Sequence, residues 1–440
     1  MLTRAYLGVV LLMATPLFPQ AISPVGSAPF QRDSRMATPP PVSGEAYPTA
    51  VGSEENSNYV RAGITFSTSY IDNLYPGFGN TVADMTYSIL PTLDLDQTTP
   101  RRHISVEYSP GFTFYDPTSA LNQVDENAIM HYRVRPSPHS VVAISDQFRY
   151  SSTALGSGIS VEGSVSGAAS AIAPGIVAPF AKQLTNGANG EFTLQTGLNS
   201  MIGLSGEAST LHYPSPSEAI GLFDSSSHGG SAFYNRRISS AQYIGAIYNY
   251  TQIFAYPTNS RVKSVVQAAS AFYAIYPKPT FTLSVSGGPQ HLQVVQQLFP
   301  AFSSWSPFIT ASIGRQGVHR NIAASYAQSI TAGDGLLGPY HSRNVNLTTR
   351  WQMSRIWMAG AGASYAINSA VSSNLPIGSQ NGHSILGSAM LARSISRQIS
   401  FTLEYARIHQ SYAIPAILNN PDVDRVTASI SWVFMRPIGQ

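Results

Sequence analysis

Apolar and polar residues alternate with a period of two along most of the chain, from Tyr59 to Phe434. The same alternation recurs at 104–114, 280–286, 344–351 and 399–406. A period of two places successive side chains on opposite faces of an extended strand. The pattern therefore predicts β-strands with one apolar and one polar face. In the first strand the apolar and polar sets are Val60, Ala62, Ile64, Phe66 and Tyr70 against Arg61, Gly63, Thr65, Ser67 and Ser69.

The pattern divides into about eighteen strands, and an even number of strands returns both ends of the chain to the same side. The segments around Val141 and Val262 alternate poorly, so sixteen strands is the alternative count. The predicted strands begin near residues 59, 82, 101, 126, 139, 189, 201, 228, 241, 261, 279, 304, 318, 341, 355, 383, 398 and 423.

Short and long connections alternate between these strands. Bacterial membrane barrels join antiparallel strands in this way, with short periplasmic turns and longer extracellular loops. The short connections are predicted at 135–139, 199–200, 239–240, 277–279, 316–317, 353–354 and 396–397. The long ones are predicted at Ser152–Ala188, Pro214–Ser227, Gly288–Ser303, Thr331–Tyr340, Asn368–Gly382 and Ala413–Pro421.

Composition favours lipid over water around this sheet. Only 11% of the 440 residues are charged and 23 are tyrosines, whereas soluble domains carry roughly 25% charged residues. Beyond the first two dozen residues there is no apolar run of the roughly 18 to 20 residues that a membrane helix needs. A closed barrel is the other backbone that lipid tolerates, because every N–H and C=O is paired. We therefore expect an all-β, transmembrane, antiparallel up-and-down β-barrel.

A soluble propeller, solenoid or sandwich is the alternative, and it predicts Lys, Glu and Asp on the outer face of the strands. The strand at 399–406 instead sets an apolar row against a polar one. Aromatic residues near strand ends fit the interfacial girdles of a membrane barrel, or ordinary cross-strand packing, at Tyr70, Phe114, Tyr132, Trp351 and Trp432.

The start of the chain is typical of an exported protein. Arg4 supplies a positive charge and Ala5–Ala14 forms a short apolar stretch, which together predict a signal peptide over residues 1–21. A retained anchor is the alternative, but the stretch is short for a membrane span. Residues 22–58 are rich in Pro, Ser and Gly and predict a disordered periplasmic leader. The barrel then occupies residues 59–440.

The last predicted strand alternates apolar residues and ends in an aromatic, with Trp432 and Phe434 as its last two aromatic positions. It resembles the outer-membrane porin-like barrels, in which the assembly machinery reads the terminal aromatic, although Met435–Gln440 follow here. In length and strand number the chain is also similar to β-barrel porins, some associated with exopolysaccharide systems, and to 18-stranded export or uptake channels. The resemblance implies the bacterial outer membrane, its lipid and the barrel-assembly machinery as partners.

Ionisable residues on the polar face are the candidates for lining the lumen, where they set ion selectivity. Both signs occur, which predicts a weak ionic preference, and salt bridges that rigidify the wall are the alternative role. His131, Arg133 and Arg135 form a basic row on one face. The candidate lumen-lining residues are Arg61, Glu107, His131, Arg133, Arg135, Glu191, Glu207, Arg350 and Glu404.

The sequence predicts no metal site and no cofactor, since it has no Cys and no close cluster of His and carboxylates. Gly163–Gly167 and Gly333–Gly338 match enzyme motifs but lack the strand and helix that those motifs need. The net charge of +3, without a dense basic cluster, does not favour nucleic acid.

We therefore predict an outer-membrane channel, and not an enzyme, that passes small hydrophilic solutes or an exported polysaccharide through a polar lumen. The long connection Ser152–Ala188 either folds inward and constricts the pore or stays outside. A barrel-anchored binding or structural protein without flux is the main alternative. A barrel enzyme that uses His212 or His383 with loop serines is the less favoured one.

Overall fold

The computed structural model describes residues 58–74, 82–99, 101–151, 182–215, 223–257, 261–278, 280–296, 299–317, 319–332, 339–371, 381–412 and 422–437. The predicted signal peptide and nearly all of the predicted leader lie outside these residues. No helix within the described ranges is long and apolar enough to cross a membrane.

Nineteen strands follow one another along the described part of the chain, and one 3-10 turn, Ser119–Leu121, lies between β4 and β5. The first ten are β1 Asn58–Ile71, β2 Asp84–Thr98, β3 Arg102–Tyr108, β4 Gly111–Asp116, β5 Gln123–Ser137, β6 Ser140–Ser151, β7 Gln183–Gly197, β8 Ser200–His212, β9 Asp224–Ser239 and β10 Gln242–Tyr256. The remaining nine are β11 Val262–Lys278, β12 Phe281–Gln296, β13 Phe299–Gln316, β14 Arg320–Ala332, β15 Pro339–Gln352, β16 Trp357–Ala370, β17 Gly382–Ser394, β18 Ile399–Tyr412 and β19 Asp422–Pro437.

The strands form one closed antiparallel sheet, because β1 pairs with β19 as well as with β2. β3 and β4 both lie between β2 and β5 and are two parts of one crossing. The interruption falls at Ser109 and Pro110, where proline has no N–H to donate to the ladder. The barrel therefore has eighteen crossings, which confirms the predicted fold and the higher of the two predicted counts.

Alternate residues of each strand face opposite sides of the wall. One set carries nearly all the exposed large apolar side chains, including Phe66, Leu93 and Ile430. The opposite set meets in buried clusters that join strands which are not direct neighbours, for example Ile71 of β1 with Ile408 of β18. The exposed set therefore faces outward and the clustered set faces the interior, as the sequence pattern predicted.

The predicted strand starts agree with the observed ones within a few residues, except at β7, β9 and β13. The predicted connection Ser152–Ala188 ends earlier, because β7 begins at Gln183, and β9 begins at Asp224 inside another predicted connection. The predicted connection Gly288–Ser303 is wrong, since residues 297 and 298 alone separate β12 from β13.

The wrong prediction of a connection at Gly288–Ser303 has a physical reason. It relied on the pair Gly288 and Pro289, which normally indicates a turn. In the structure this pair lies where the β11–β12 ladder is interrupted, so the missing N–H of Pro289 costs no bond in that ladder. A Cβ on Gly288 would lie 1.9 Å from the carbonyl oxygen of Ala269, so glycine allows close approach of the two strands.

Candidate functional site: the barrel lumen

The strand register places all nine candidate lumen residues on the inward face. Directly paired residues share a face, and such pairs connect Arg61 through Asp94 to Glu107. The same relation connects Arg350 through Gly360 and Met390 to Glu404. Their role in solute passage stays a prediction. The other five are His131, Arg133 and Arg135 on β5, Glu191 on β7 and Glu207 on β8.

The charged residues on β1, β2 and β3 form ion pairs inside the wall. Arg61 Nη1 lies 3.8 Å from Asp94 Oδ2, with each side chain only 14% exposed, and Arg61 Nη2 donates to the Tyr59 hydroxyl over 3.1 Å. His103 Nε2 lies 3.2 Å from Asp96 Oδ1, and this contact is an ion pair when the imidazole is protonated. These contacts hold opposite charges together along one side of the lumen.

Further inward charges continue around the barrel on both sides of this group. Arg133 of β5 interacts electrostatically with Glu191 of β7. On the last two strands Arg425 Nη2 lies 3.9 Å from Glu404 Oε1. Glu207 is exposed and accepts a long 3.5 Å hydrogen bond from Thr251. We call the inward face of β1–β8 with β18 and β19 the charged wall.

The inward face also carries ionisable residues that were not among the predicted ones, including Asp94, Asp96, His103, Arg149 and Arg425. The signal for the first two was available, because Leu93, Asp94, Leu95 and Asp96 alternate apolar and acidic residues. Arg149 and Arg425 could have been assigned by the same parity rule once their strands had been recognised.

The opposite side of the lumen is almost free of charge, and we call the inward face of β10–β17 the neutral wall. Between the two rims, Arg350 is the only inward Lys, Arg, His, Asp or Glu among the described residues of these strands. Hydroxyls, amides, small residues and a few aromatics take the other positions, such as Ser284, Ser312, Asn346 and Phe308.

Many inward hydroxyl groups pair across neighbouring strands. Ser284 and Ser312 approach to 2.7 Å, Ser205 and Ser231 to 2.7 Å, and Thr65 and Ser431 to 2.8 Å between their side-chain oxygens. Such pairs satisfy the hydrogen bonding of polar groups within the wall, and the side chains that line the lumen there are short and hydrophilic.

Two apolar clusters lie inside the barrel at the end that carries the long connections. The β12 rim cluster consists of Ile253, Ala255, Val262, Val266, Leu292, Val294 and Ile330. The β19 rim cluster consists of Ile71, Leu74, Tyr115, Ile408 and Val423. Leu292 is 0% exposed and Val262 only 1%, so this part of the interior is packed rather than filled with water. Val262 also explains why its segment alternates poorly, because an apolar residue faces inward there.

The upper end of β14 turns into the barrel to complete the β12 rim cluster. β13 pairs with β14 only from Ile309 to Gln316, so its first half has no described ladder with β14. Ile330 has the outward parity of β14 but packs with inward-facing residues of β11 and β12. Its N–H also donates to Gln290 Oε1 over 3.0 Å. The outward side of β14 thus covers the inward side of β12.

The residues considered for other chemistry lie apart from the lumen. His212 and His383 both face outward at the long-loop end, and His212 Nδ1 lies 2.6 Å from Asp224 Oδ2. Most of Ser152–Ala188 and both glycine motifs lie outside the described residues. Within the described residues, no three His, Cys, Asp or Glu side chains form a group that could hold a metal.

The predicted assembly signal lies on the outward face of the closing strand. Trp432 pairs with Ile64 and Phe434 with Ala62, both on β1. The two aromatic side chains are about half exposed, at 50% and 49%. Their recognition by the assembly machinery stays a prediction.

A closed barrel of eighteen crossings with an apolar outer face is a porin-like transmembrane β-barrel. This architecture is that of bacterial outer-membrane proteins, and lipid is therefore the partner of its outer surface.

Comparison with protein-family models and with curated proteins finds no match. Among solved structures, Pseudomonas aeruginosa OpdK with vanillate is 9% identical with a TM-score of 0.39, covering 86% of this chain and 99% of OpdK. Acinetobacter baumannii OccAB2 is 11% identical with a TM-score of 0.42, covering 88% and 100%. The Neisseria meningitidis FrpB iron transporter is 8% identical with a TM-score of 0.45, covering 86% and 81%.

Proposed function

We propose that the chain is an outer-membrane channel that passes small hydrophilic solutes or an exported polysaccharide. The inward face of the closed barrel carries the proposal, because away from the two rim clusters it is polar from strand to strand, while the outward face is apolar. A barrel of eighteen crossings is wide enough for an aqueous channel unless something fills it. The neutral wall offers hydroxyl and amide groups along such a path.

Ion selectivity is expected to be weak in this channel. The charges of the charged wall occur largely in opposite pairs, such as Arg61 with Asp94 and Arg425 with Glu404. Paired charges of opposite sign largely cancel their field at the centre of the lumen. Uncharged hydrophilic solutes therefore fit the lining better than ions of either sign.

The packed rim favours a second candidate function, a surface binding or structural protein held in the membrane by a closed barrel. Leu292 is fully buried in the β12 rim cluster, and a permanently packed rim would stop flux. In this alternative the long connections bind the partner and the barrel serves as an anchor.

Single-channel recording of the folded mature chain in planar bilayers distinguishes the two functions. Ser151 and Gln183 are direct partners on β6 and β7, so a short turn can replace residues 152–182 without disturbing either strand. Comparing the full chain with this shortened variant separates obstruction by the connection from obstruction by the wall. As a matched control, replacing residues 152–182 by a flexible linker of equal length preserves the length and removes the sequence.

Open steps in the full chain would support the channel, with similar permeability for K⁺ and Cl⁻. Steps in both altered variants but not in the full chain would support a channel that the connection obstructs. Silence in all three, from chains that show barrel circular dichroism and the electrophoretic shift on heating, would favour the anchored protein.

A further inference from the structure

Three cationic or basic side chains surround one aromatic ring on the outer surface of the barrel. His228 stacks on Phe254 with 5.2 Å between ring centroids, and the Arg261 guanidinium lies 4.0 Å from the Phe254 centroid. Lys263 Nζ lies 6.0 Å from the same centroid. We call His228, Phe254, Arg261 and Lys263 the basic patch.

The basic patch faces outward at the long-loop end. Phe254 pairs directly with Lys263, whereas the neighbouring Val262 faces inward and belongs to the β12 rim cluster. Arg261 precedes Val262, and its contact with Phe254 holds it on the same outer side. Phe254 is only 6% exposed, because the basic side chains cover its ring.

Neither Arg261 nor Lys263 forms a salt bridge with any residue that the structure describes. The outward carboxylate of Asp224 on β9 is engaged elsewhere, because His212 Nδ1 lies 2.6 Å away and the Tyr213 N–H donates to it over 2.8 Å. Stacking on an aromatic ring stabilises the guanidinium without neutralising it. The basic patch therefore carries positive charge that is not paired with a carboxylate of any described residue.

The outward residues of β10 show how high the patch lies on the barrel. From the short-turn end upward they are Ile244 and Ala246, then Tyr248 and Tyr250, and then Gln252, Phe254 and Tyr256. Apolar residues followed by tyrosines, with charged groups around the last rings, mark the passage from acyl chains to headgroups. The basic patch therefore lies at the headgroup level of the leaflet on the long-loop side.

We propose that His228, Arg261 and Lys263 bind a phosphate group of an outer-leaflet lipid. Guanidinium and ammonium groups recognise phosphate by charge-assisted hydrogen bonds, and the His228 ring supplies a further N–H donor. Basic clusters at the level of the headgroups attract anionic lipids in the same way. The inference rests on the outer-membrane location and on the long connections lying outside the cell, but not on channel activity.

A second outward cluster at the same end provides a contrast. Arg407 lies 3.4 Å from Asp422 and 3.9 Å from Asp424, so its charge is already balanced within the protein. At the opposite rim, Arg393 lies 5.3 Å from the ring centroid of Trp357. It therefore has the same cation–aromatic contact as Arg261 but lies at the short-turn end of the barrel. Both arginines serve as matched controls for Arg261.

The test titrates the detergent-folded mature chain with diphosphoryl lipid A and with the same lipid after removal of both phosphates, and native mass spectrometry reports the bound fraction. The wild type is expected to prefer the phosphorylated lipid. The double variant Arg261→Gln, Lys263→Gln is expected to bind it about tenfold or more weakly, the loss of one or two charge-assisted contacts. Arg393→Gln and Arg407→Gln are expected to bind it as the wild type does.

Equal binding of the two lipids by the wild type would show acyl-chain contact alone and overturn the proposal. Undiminished binding by the double variant would overturn it as well, as would equal losses in all the arginine variants. Heat-dependent electrophoretic migration of each variant verifies that a folded barrel is being compared. Because the assay measures no flux, its result is independent of whether the barrel conducts.

Discussion

Side chains that face the lumen are held mainly by partners on adjacent strands. Hydroxyl pairs such as Thr65 with Ser431, and ion pairs such as Arg61 with Asp94, connect neighbours within the wall rather than across the lumen. Each of these residues therefore has one or two partners nearby. Replacing it leaves a polar or charged partner without its hydrogen bond or counterion. This local dependence makes the charged wall testable one residue at a time.

Arg61→Gln is expected to destabilise the barrel and shift its permeability toward cations. The change leaves Asp94, which is 14% exposed, beside Asp96 and across from Glu107 without its counterion. Leaving a partly buried charge unbalanced costs on the order of 1–3 kcal/mol. Urea unfolding in lipid vesicles measures the stability, and the reversal potential in a KCl gradient measures the selectivity.

The double variant Arg61→Gln, Asp94→Asn is the control for this prediction. Removing both members of the pair should recover most of the lost stability, since no single charge is left over. If the double variant is as unstable as the single one, the effect of Arg61 comes from its contact with Tyr59, whose hydroxyl it reaches over 3.1 Å.

At the scale of elements, the period of two was sufficient to find the crossings and the face of each candidate residue. It could not reveal that β14 leaves β13 and turns inward, because Ile330 sits at a position that looks like an ordinary lipid-facing one. The turn signal of Gly288 and Pro289 was also misleading, since glycine serves here for close approach between strands rather than for a turn. Contacts between distant strands decide both features, and local sequence does not record them.

The inward end of β14 is expected to control access to the lumen from the long-loop side. Ile330→Ser removes an apolar side chain from the packed β12 rim cluster and introduces a hydroxyl into a cluster that contains the apolar Leu292 and Val294. We expect looser packing there and a larger conductance, or more frequent opening, in single-channel recordings.

Met390→Ser is the matched control for Ile330→Ser. Met390 also faces inward, but it packs over Gly360 away from the rim clusters, so its replacement should leave conductance near that of the wild type. A rise in conductance for both variants would instead indicate that any loss of inward volume widens the path. No change for either would remove the β12 rim cluster as a barrier.

For the whole molecule, closure depends on the ladder between the first and last strands. This ladder pairs β1 with β19 along its full length, from Tyr59 with Pro437 to Ile71 with Arg425. Because the sheet becomes a closed barrel only when this ladder is present, the ladder reports on completion of the barrel. The chain has no Cys, which allows this ladder to be probed with introduced thiols.

Thr65→Cys with Ser431→Cys is expected to form a disulfide across the closing ladder. The two native hydroxyl oxygens lie 2.8 Å apart, and directly paired residues have the Cα separation that a disulfide needs. After oxidation, denaturation without reductant should give a faster-migrating band on electrophoresis, because the covalent loop keeps the unfolded chain compact.

Thr65→Cys with Thr427→Cys is the control, since Thr427 pairs with Ser69, about 13 Å farther along the strand. Cross-linking of the control but not of the direct pair, in chains that retain heat-dependent migration, would contradict the register. Because a slip in this one ladder would alter the stagger of the entire barrel, a disulfide at the direct pair alone tests the closed architecture on which the lumen depends.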